Sequence, residues 1–249
     1  MFDYAIPARV GAFAMLLFAG VALADGAPTV PTHEQVMAAL RDPVNSTGNI
    51  ADAVEEATGA RGWMSADMKP IFDSRIAGRA ATALMRPVLR SDVRKYQNHL
   101  LEILDQAAPG SILVYVMQDG LEIAAMGNLM ATTARVRGLE GAVIDGAVRD
   151  ITEIRQIGFP VWARRVSPAT SVGRMVSVDK QIPVLCGGVL VQPGDYLVGD
   201  ADGVVVVPQQ ATGRVLEFLR LYTDKESRMI PIITETGSML EALERYNRY

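Results

Sequence analysis

Gly141-Ala142-Val143-Ile144-Asp145-Gly146-Ala147-Val148-Arg149-Asp150 reads as an apolar strand running into a glycine turn that delivers a guanidinium and a carboxylate side by side. The strand is expected over Ala142–Ile144, and a helix over Asp150–Ile157, closed by Gly158, follows it. Upstream, Gly127-Asn128 opens a helix over Leu129–Val136. Twenty residues lie between Asn128 and Arg149, about the length of one helix, a turn and a strand. That spacing can return a helix N-terminus to face Arg149 and Asp150. Helix and strand alternating in this way predict an α/β layer fold with a mixed sheet in a single domain.

The flanking sequence extends the same pattern. Thr32-His33-Glu34-Gln35 is a capping box for a short helix through Leu40, stopped by Pro43. Ser46-Thr47 caps a second helix with Ile50, Val54 and Ala57 on one face and Gly59 past its end. Lys69 to Gly78 reads as turn and loop before a strand over Arg79–Met85. A polar-faced helix is expected over Asp92–Ala107, then a buried strand in the continuous apolar run Ile112–Val116. Strands are further expected over Val161–Arg164, Ile182–Val191, Tyr196–Val198 and Val204–Val207. Amphipathic helices are expected over Ala211–Tyr222 and Ser238–Tyr246.

Composition narrows the classes of function. The chain has 249 residues, 49% of them hydrophobic, and a net charge of -4. No run of Lys or Arg gives it a nucleic-acid footprint. Its one cysteine, Cys186, lies in an apolar run and reads as a buried structural thiol. Val10–Ala22 is uncharged and too short to span a bilayer comfortably, and Ala22-Leu23-Ala24 follows as an A-x-A site. Met1–Ala24 is therefore read as a signal peptide that exports the chain to the periplasm, with no stable membrane span after cleavage. The alternatives are an uncleaved anchor or an extended start on a cytoplasmic protein. Residues 25–44 form a linker and short helix, 45–210 the α/β domain, and 211–249 a C-terminal helical extension.

Several machineries are absent from the sequence. His33 and His99 each stand alone, so a zinc site or catalytic triad built on histidine is not supported. No G-x-S-x-G elbow, P-loop or dinucleotide-binding glycine fingerprint follows a strand. The four lysines, Lys69, Lys95, Lys180 and Lys225, sit among polar or turn residues, poor ground for a Schiff base. The Asp-rich turns at Pro193–Asp195 and Gly199–Gly203 are read as Asx turns rather than metal loops. Hard-ligand chemistry remains. Asp150 can hold Mg²⁺ or Mn²⁺ with water in most other positions. Arg149 can grip a carboxylate or keto oxygen, and the amides of Asn128, Leu129 and Met130 can receive a substrate carboxylate. The plain alternative is a surface salt bridge between Arg149 and Asp150 at a helix start. Trp63, Trp162 and Arg164-Arg165 could line the pocket, against core packing and solvated charge.

From Asn45-Ser-Thr-Gly-Asn-Ile-Ala-Asp-Ala-Val to Val207-Pro208, the chain resembles the family of 4-hydroxy-4-methyl-2-oxoglutarate aldolase and the regulator of ribonuclease activity A. The landmarks are Gly127-Asn-Leu-Met-Ala131, Arg137-Gly138-Leu139, Gly141–Asp150, Gly158-Phe-Pro-Val161, and Gly187-Gly188 through Pro193-Gly194-Asp195 to Gly203–Pro208. They run in order through about two-thirds of the chain. The demethylmenaquinone methyltransferase label that such sequences often carry has no support in these residues. The resemblance implies a swivelling-domain-like layered α/β/α fold, a homotrimer or homohexamer, and a divalent-metal-dependent lyase acting on a small 2-oxo carboxylate. It implies that Arg149 contacts substrate, that Asp150 binds the metal, and that Gly127 to Met130 hold the substrate. The aldolases have an acidic residue where this chain has Asn128. Retro-aldol cleavage to pyruvate or oxaloacetate decarboxylation is the leading expectation. A non-catalytic regulatory trimer, or a lyase or isomerase of a sugar-acid-like substrate, is the alternative.

Overall fold

The computed structural model describes residues 30–89 and 94–246. The expected signal peptide Met1–Ala24, residues 25–29 of the linker and the Asp92 end of the expected third helix lie outside the described residues. Helix α1 (His33–Arg41) carries the capping box: Gln35 N–H donates to Thr32 Oγ1 at 3.2 Å, and Thr32 N–H to Gln35 Oε1 at 2.8 Å. Helix α2 (Thr47–Thr58) starts on the Ser46 hydroxyl and ends on left-handed Gly59. Strand β1 (Lys69–Pro70) is brief, and β2 (Ile76–Pro87) begins three residues before the expected Arg79. The added residues are paired with a later antiparallel strand, a partner that local pattern does not reveal.

Helix α3 (His99–Gln106) corrects the longer helix expected from Asp92. Asn98 accepts the Leu101 N–H and starts the helix there, leaving 94–98 irregular. Strands β3 (Ser111–Met117) and β4 (Ala124–Met126) follow; β4 has no periodic signature. Next come α4 (Asn128–Val136), β5 (Gly141–Val148), α5 (Ile151–Ile157) and β6 (Val161–Val166). Strand β7 (Met175–Lys180) was not expected. The expected single strand Ile182–Val191 is instead a hairpin of β8 (Val184–Cys186) and β9 (Val189–Val191). Gly187 and Gly188 both take positive φ, 54° and 81°, and reverse the chain there. Strands β10 (Tyr196–Gly199) and β11 (Val204–Val207) precede α6 (Thr212–Thr236) and α7 (Met239–Arg245). Helix α6 outruns the expected end at Tyr222 and passes through Pro231.

Among the described residues the main sheet has nine strands, ordered β1-β6-β5-β3-β2-β10-β11, with β4 added to β5 and β7 to β2. Strands β2, β3, β5 and β6 run parallel, and the outer strands β1, β10 and β11 join antiparallel, so the sheet is mixed. Strand β3 is buried on both faces, which explains its continuous apolar run. Leu113, Tyr115 and Met117 pack with residues of α3, α4 and α5, while Ile112, Val114 and Val116 pack with the β8–β9 hairpin and Trp162. A third cluster joins α1, α2 and α6 to β10 and β11.

The topology places a site by simple adjacency. Strands β4 and β5 are parallel and in register at Met126 and Val148. The next residue of each chain, Gly127 and Arg149, therefore emerges side by side at the carboxyl edge, where open α/β sheets hold their ligands. Arg149 N–H donates to Met126 O at 3.1 Å and fixes that exit.

Candidate active site

All six residues singled out in the sequence, Gly127, Asn128, Leu129, Met130, Arg149 and Asp150, line one cleft of about 390 Å³. Asp150 takes the position before α5 but does not cap it. Its backbone is left-handed, φ 56° and ψ 39°, and this turns the carboxylate away from its own helix. A non-glycine residue in that region costs of order 1 kcal/mol, and such strain clusters at functional sites. The carboxylate instead meets the start of α4: Asp150 Oδ2 accepts the Asn128 N–H at 3.0 Å. Helix α4 lacks a side-chain cap from Gly127, so Asp150 supplies it from another part of the chain and complements the helix dipole.

This geometry corrects one expectation. The Asn128 amide is engaged by Asp150, so Leu129 and Met130 are the first-turn amides that remain for an anion. Arg149 Nε stands 3.6 Å from Asp150 Oδ2, a loose pair whose side chains are 42% and 34% exposed. Both groups therefore keep capacity for a ligand, unlike a surface salt bridge closed on itself. Gly127 makes the approach possible: a Cβ there would lie 2.5 Å from Asp150 Oδ2 and 3.0 Å from Arg149 Nε.

The remaining walls were not singled out in the sequence. They include Asn98 from the irregular segment before α3, Ser171 from the loop after β6, Ser177 from β7, and several methionines. Their signal was obscured because Asp92–Ala107 reads as one helix and β7 as loop. The parallel bridge between Ala124 and Thr170 brings the loop after β6 to the cleft, a long-range contact with no local pattern.

Other candidates resolve elsewhere. Trp162 is fully buried, with Nε1–H donating to Asp200 O at 3.0 Å. Trp63 lies beside α2, in a separate hollow with Arg61 and Val205. Arg164 is tied to Asp67 and Asp145 at 3.0 Å each, and Arg165 to Asp67 at 3.1 Å. The Asp-rich turns bind backbone: Asp195 accepts the amides of Gln192 and Gln209, and Asp200 accepts that of Asp202 and the Thr47 hydroxyl. Burial pushes the Asp195 carboxyl above its ordinary value. His33 Nδ1 lies 3.0 Å from the Tyr196 hydroxyl, and His99 Nδ1 3.2 Å from Glu102. Cys186 is buried, and burial raises its thiol pKa far from the thiolate needed for reactivity.

Comparison with known proteins places the chain in a family. A family model described as RraA-like, Aldolase/RraA, matches residues 47–206. A protein of Halalkalibacterium halodurans named "Putative 4-hydroxy-4-methyl-2-oxoglutarate aldolase" is 35% identical over 118 residues, 47% of this chain and 56% of that protein. An uncharacterized protein of Methanocaldococcus jannaschii is 33% identical over 132 residues, 52% of this chain and 62% of its own length. The chain thus spans less than two-thirds of either relative. Among solved structures, Streptomyces coelicolor RraAS2, titled an unusual member of the RNase ES inhibitor RraA protein family, matches with a TM-score of 0.67 and 26% identity. That match covers 79% of this chain and 94% of the other.

Proposed function

Because the chain belongs to the RraA-like (Aldolase/RraA) family, we propose that it is a divalent-metal-dependent lyase of small 2-oxo acids. The reading rests on one observation: Asp150 and Arg149 meet the N-terminus of α4 in a cleft while remaining only loosely paired. The donor set fits a hard cation. Oδ2 of Asp150 is engaged by one amide, leaving Oδ1 for an ion, and Mg²⁺ or Mn²⁺ keeps most of its waters. Among the described residues no group of three or more His, Cys, Asp or Glu offers a closed cage of the kind zinc prefers. When bound, such an ion supplies Lewis acidity toward the 2-oxo group.

The chain's own residues do the rest. Arg149 places fixed donors where negative charge develops on the keto oxygen as the bond between C3 and C4 breaks. The amides of Leu129 and Met130 receive the carboxylate of C1. In retro-aldol cleavage the C4 hydroxyl must lose its proton. The bonding electrons then pass to C3, which is protonated to give pyruvate while the tail leaves as a carbonyl compound. In decarboxylation of oxaloacetate the same electrons arrive as CO₂ departs, with no hydroxyl to deprotonate. Asn128 can hold a water by hydrogen bonds but cannot take its proton near neutral pH. Decarboxylation is accordingly the better preserved activity.

Assays of both reactions with Mg²⁺ and Mn²⁺, in the wild type and Asn128→Asp, test this. The variant should raise retro-aldol turnover by ~10²-fold or more, the usual worth of a positioned acid or base. Decarboxylation should change far less. Equal changes in both reactions would contradict the role given to Asn128. The same substitution also bears on a second reading, a non-catalytic regulator, which Asn128 favours: no turnover in either protein would support it. We include in the proposal assembly as a trimer or dimer of trimers, measurable by light scattering.

A further inference from the structure

Asp150 already faces the two positive features that the substrate carboxylate would use. Its Oδ2 accepts the Asn128 N–H at 3.0 Å, at the start of α4, and stands 3.6 Å from Arg149 Nε. Helix α4 has no acidic residue in its first turn and no side-chain cap from Gly127, so Asp150 supplies the negative charge at that helix end. Gly127 lets the carboxylate settle against the backbone there, where a Cβ would lie 2.5 Å from Oδ2. Without a cation, the positive potential of α4 and Arg149 is therefore met from within the chain.

Resting on the lyase reading, which puts the substrate carboxylate at Arg149 and the Leu129 and Met130 amides, we infer that Asp150 is an electrostatic gate. Its free carboxylate keeps anions out, and a divalent cation opens the site by neutralising it. A second carboxylate entering beside the Asp150 charge meets its own sign in a partly buried cleft, where water screens the repulsion less than in bulk. A cation on Asp150 removes that repulsion and frees Arg149 and the helix end for the substrate. Cation and 2-oxo acid thus bind with positive coupling, each tightening the other by the same factor. The gate is separable from ligation of the ion. Asp150→Asn removes the charge but keeps an oxygen for the Asn128 N–H, and Asn suits the left-handed backbone at φ 56°. A carboxylate that served only to hold the ion would leave cation-free binding unchanged on the same substitution.

Pyruvate, the product common to both reactions, is the probe, and no turnover is needed. Its Kd for the full chain is read from NMR line broadening, in wild type and Asp150→Asn, with EDTA and with Mg²⁺. Wild type should bind pyruvate ~10-fold or more tightly with Mg²⁺ than with EDTA, a usual size for coupling between sites. Calorimetric titration of Mg²⁺ should show the same factor with and without pyruvate. In EDTA, Asp150→Asn should bind pyruvate ~10-fold or more tightly than wild type, and Mg²⁺ should add nothing. A folded Asp150→Asn that binds pyruvate in EDTA no better than wild type would overturn the gate and leave the lyase reading intact. Wild type that binds pyruvate equally with and without Mg²⁺ overturns the gate whether or not the variant folds. Pyruvate bound by neither protein in any condition would remove the lyase reading and the gate with it.

Discussion

Asp145 and Asp150 stand five residues apart in the same block of sequence, each meets an arginine in space, and the structure uses them in opposite ways. Asp145 is closed on all sides. Its Oδ1 accepts from Arg164 at 3.0 Å and its Oδ2 from the Gly187 amide at 2.7 Å, while Arg164 also grips both oxygens of Asp67. These hydrogen bonds and charges hold the Arg164 guanidinium above its ordinary pKa, although burial opposes them. Asp150 is half open: it has one amide, an arginine at 3.6 Å, and a left-handed backbone that spends conformational energy to aim it into a cleft. A saturated pair fixes strands to one another, whereas an unsaturated pair has capacity left for a ligand. Residue type does not separate the two; the number of partners does.

Substitution should therefore produce opposite profiles. Arg149→Ala and Asp150→Ala are expected to cut turnover by ~10³-fold or more, since each removes a group aimed at developing charge or at the metal. Their melting temperatures should stay near that of the wild type. Asp145→Ala should cost about 2 kcal/mol, below the ~3–5 kcal/mol of a fully broken buried pair, because Arg164 keeps Asp67 as a partner and the site is not fully dry. Melting should fall by ~4–8 °C in a chain of this size, with activity per folded molecule retained. Parallel thermal melts and turnover assays decide the matter. Loss of activity with Asp145→Ala in a fully folded sample would break the contrast.

Gly127→Ala sharpens it. The added methyl would lie 2.5 Å from Asp150 Oδ2 and must push the carboxylate or the arginine aside. A displacement of this kind near the reacting groups costs on the order of 10²-fold in turnover. The fold should tolerate it, because Gly127 has an extended backbone that any residue adopts. A melt unchanged from wild type with turnover also unchanged would show that the approach of Asp150 to α4 is not needed.

The sequence made parts of this contrast visible and hid others for definable reasons. Elements with local signatures were legible: the Thr32 capping box, the Ser46 and Gly59 ends of α2, and the doubly buried apolar run of β3. The convergence of Gly127 with Arg149 was legible from spacing, because a helix, turn and strand return the chain to one sheet edge. The added length of β5, and all of β4 and β7, depend on partners distant in sequence, so no period announced them. The Gly187-Gly188 reversal was hidden because the apolar pattern continues across it. Saturation was the least legible feature. Nothing local shows that Asp145 meets Arg164 and Gly187, or that Asp150 passes over its own helix to cap another.

A third pair sets the lower bound of the contrast. Lys180 Nζ, on β7, lies 2.5 Å from Glu102 Oε2 and 2.8 Å from Gln106 Oε1, and thereby ties α3 to the sheet beside the cleft. By partner count it belongs with Asp145. The Lys180 hydrogen bond, with help from Gln97 and His99, brings the Glu102 carboxyl from an ordinary 4.5 down to about 2. A carboxyl with a lowered folded-state pKa contributes stability that is complete above its unfolded value and disappears as pH falls through the folded one. The melting difference between wild type and Glu102→Gln should thus be constant above pH 5 and shrink toward zero between about 4.5 and about 2. Because the pair is still partly exposed the difference should be small, and salt should reduce it further. Turnover at neutral pH should be unaffected by Glu102→Gln. A difference that persists undiminished at pH 2 would mean that Glu102 acts through packing, and the partner count would then fail as a guide at the surface.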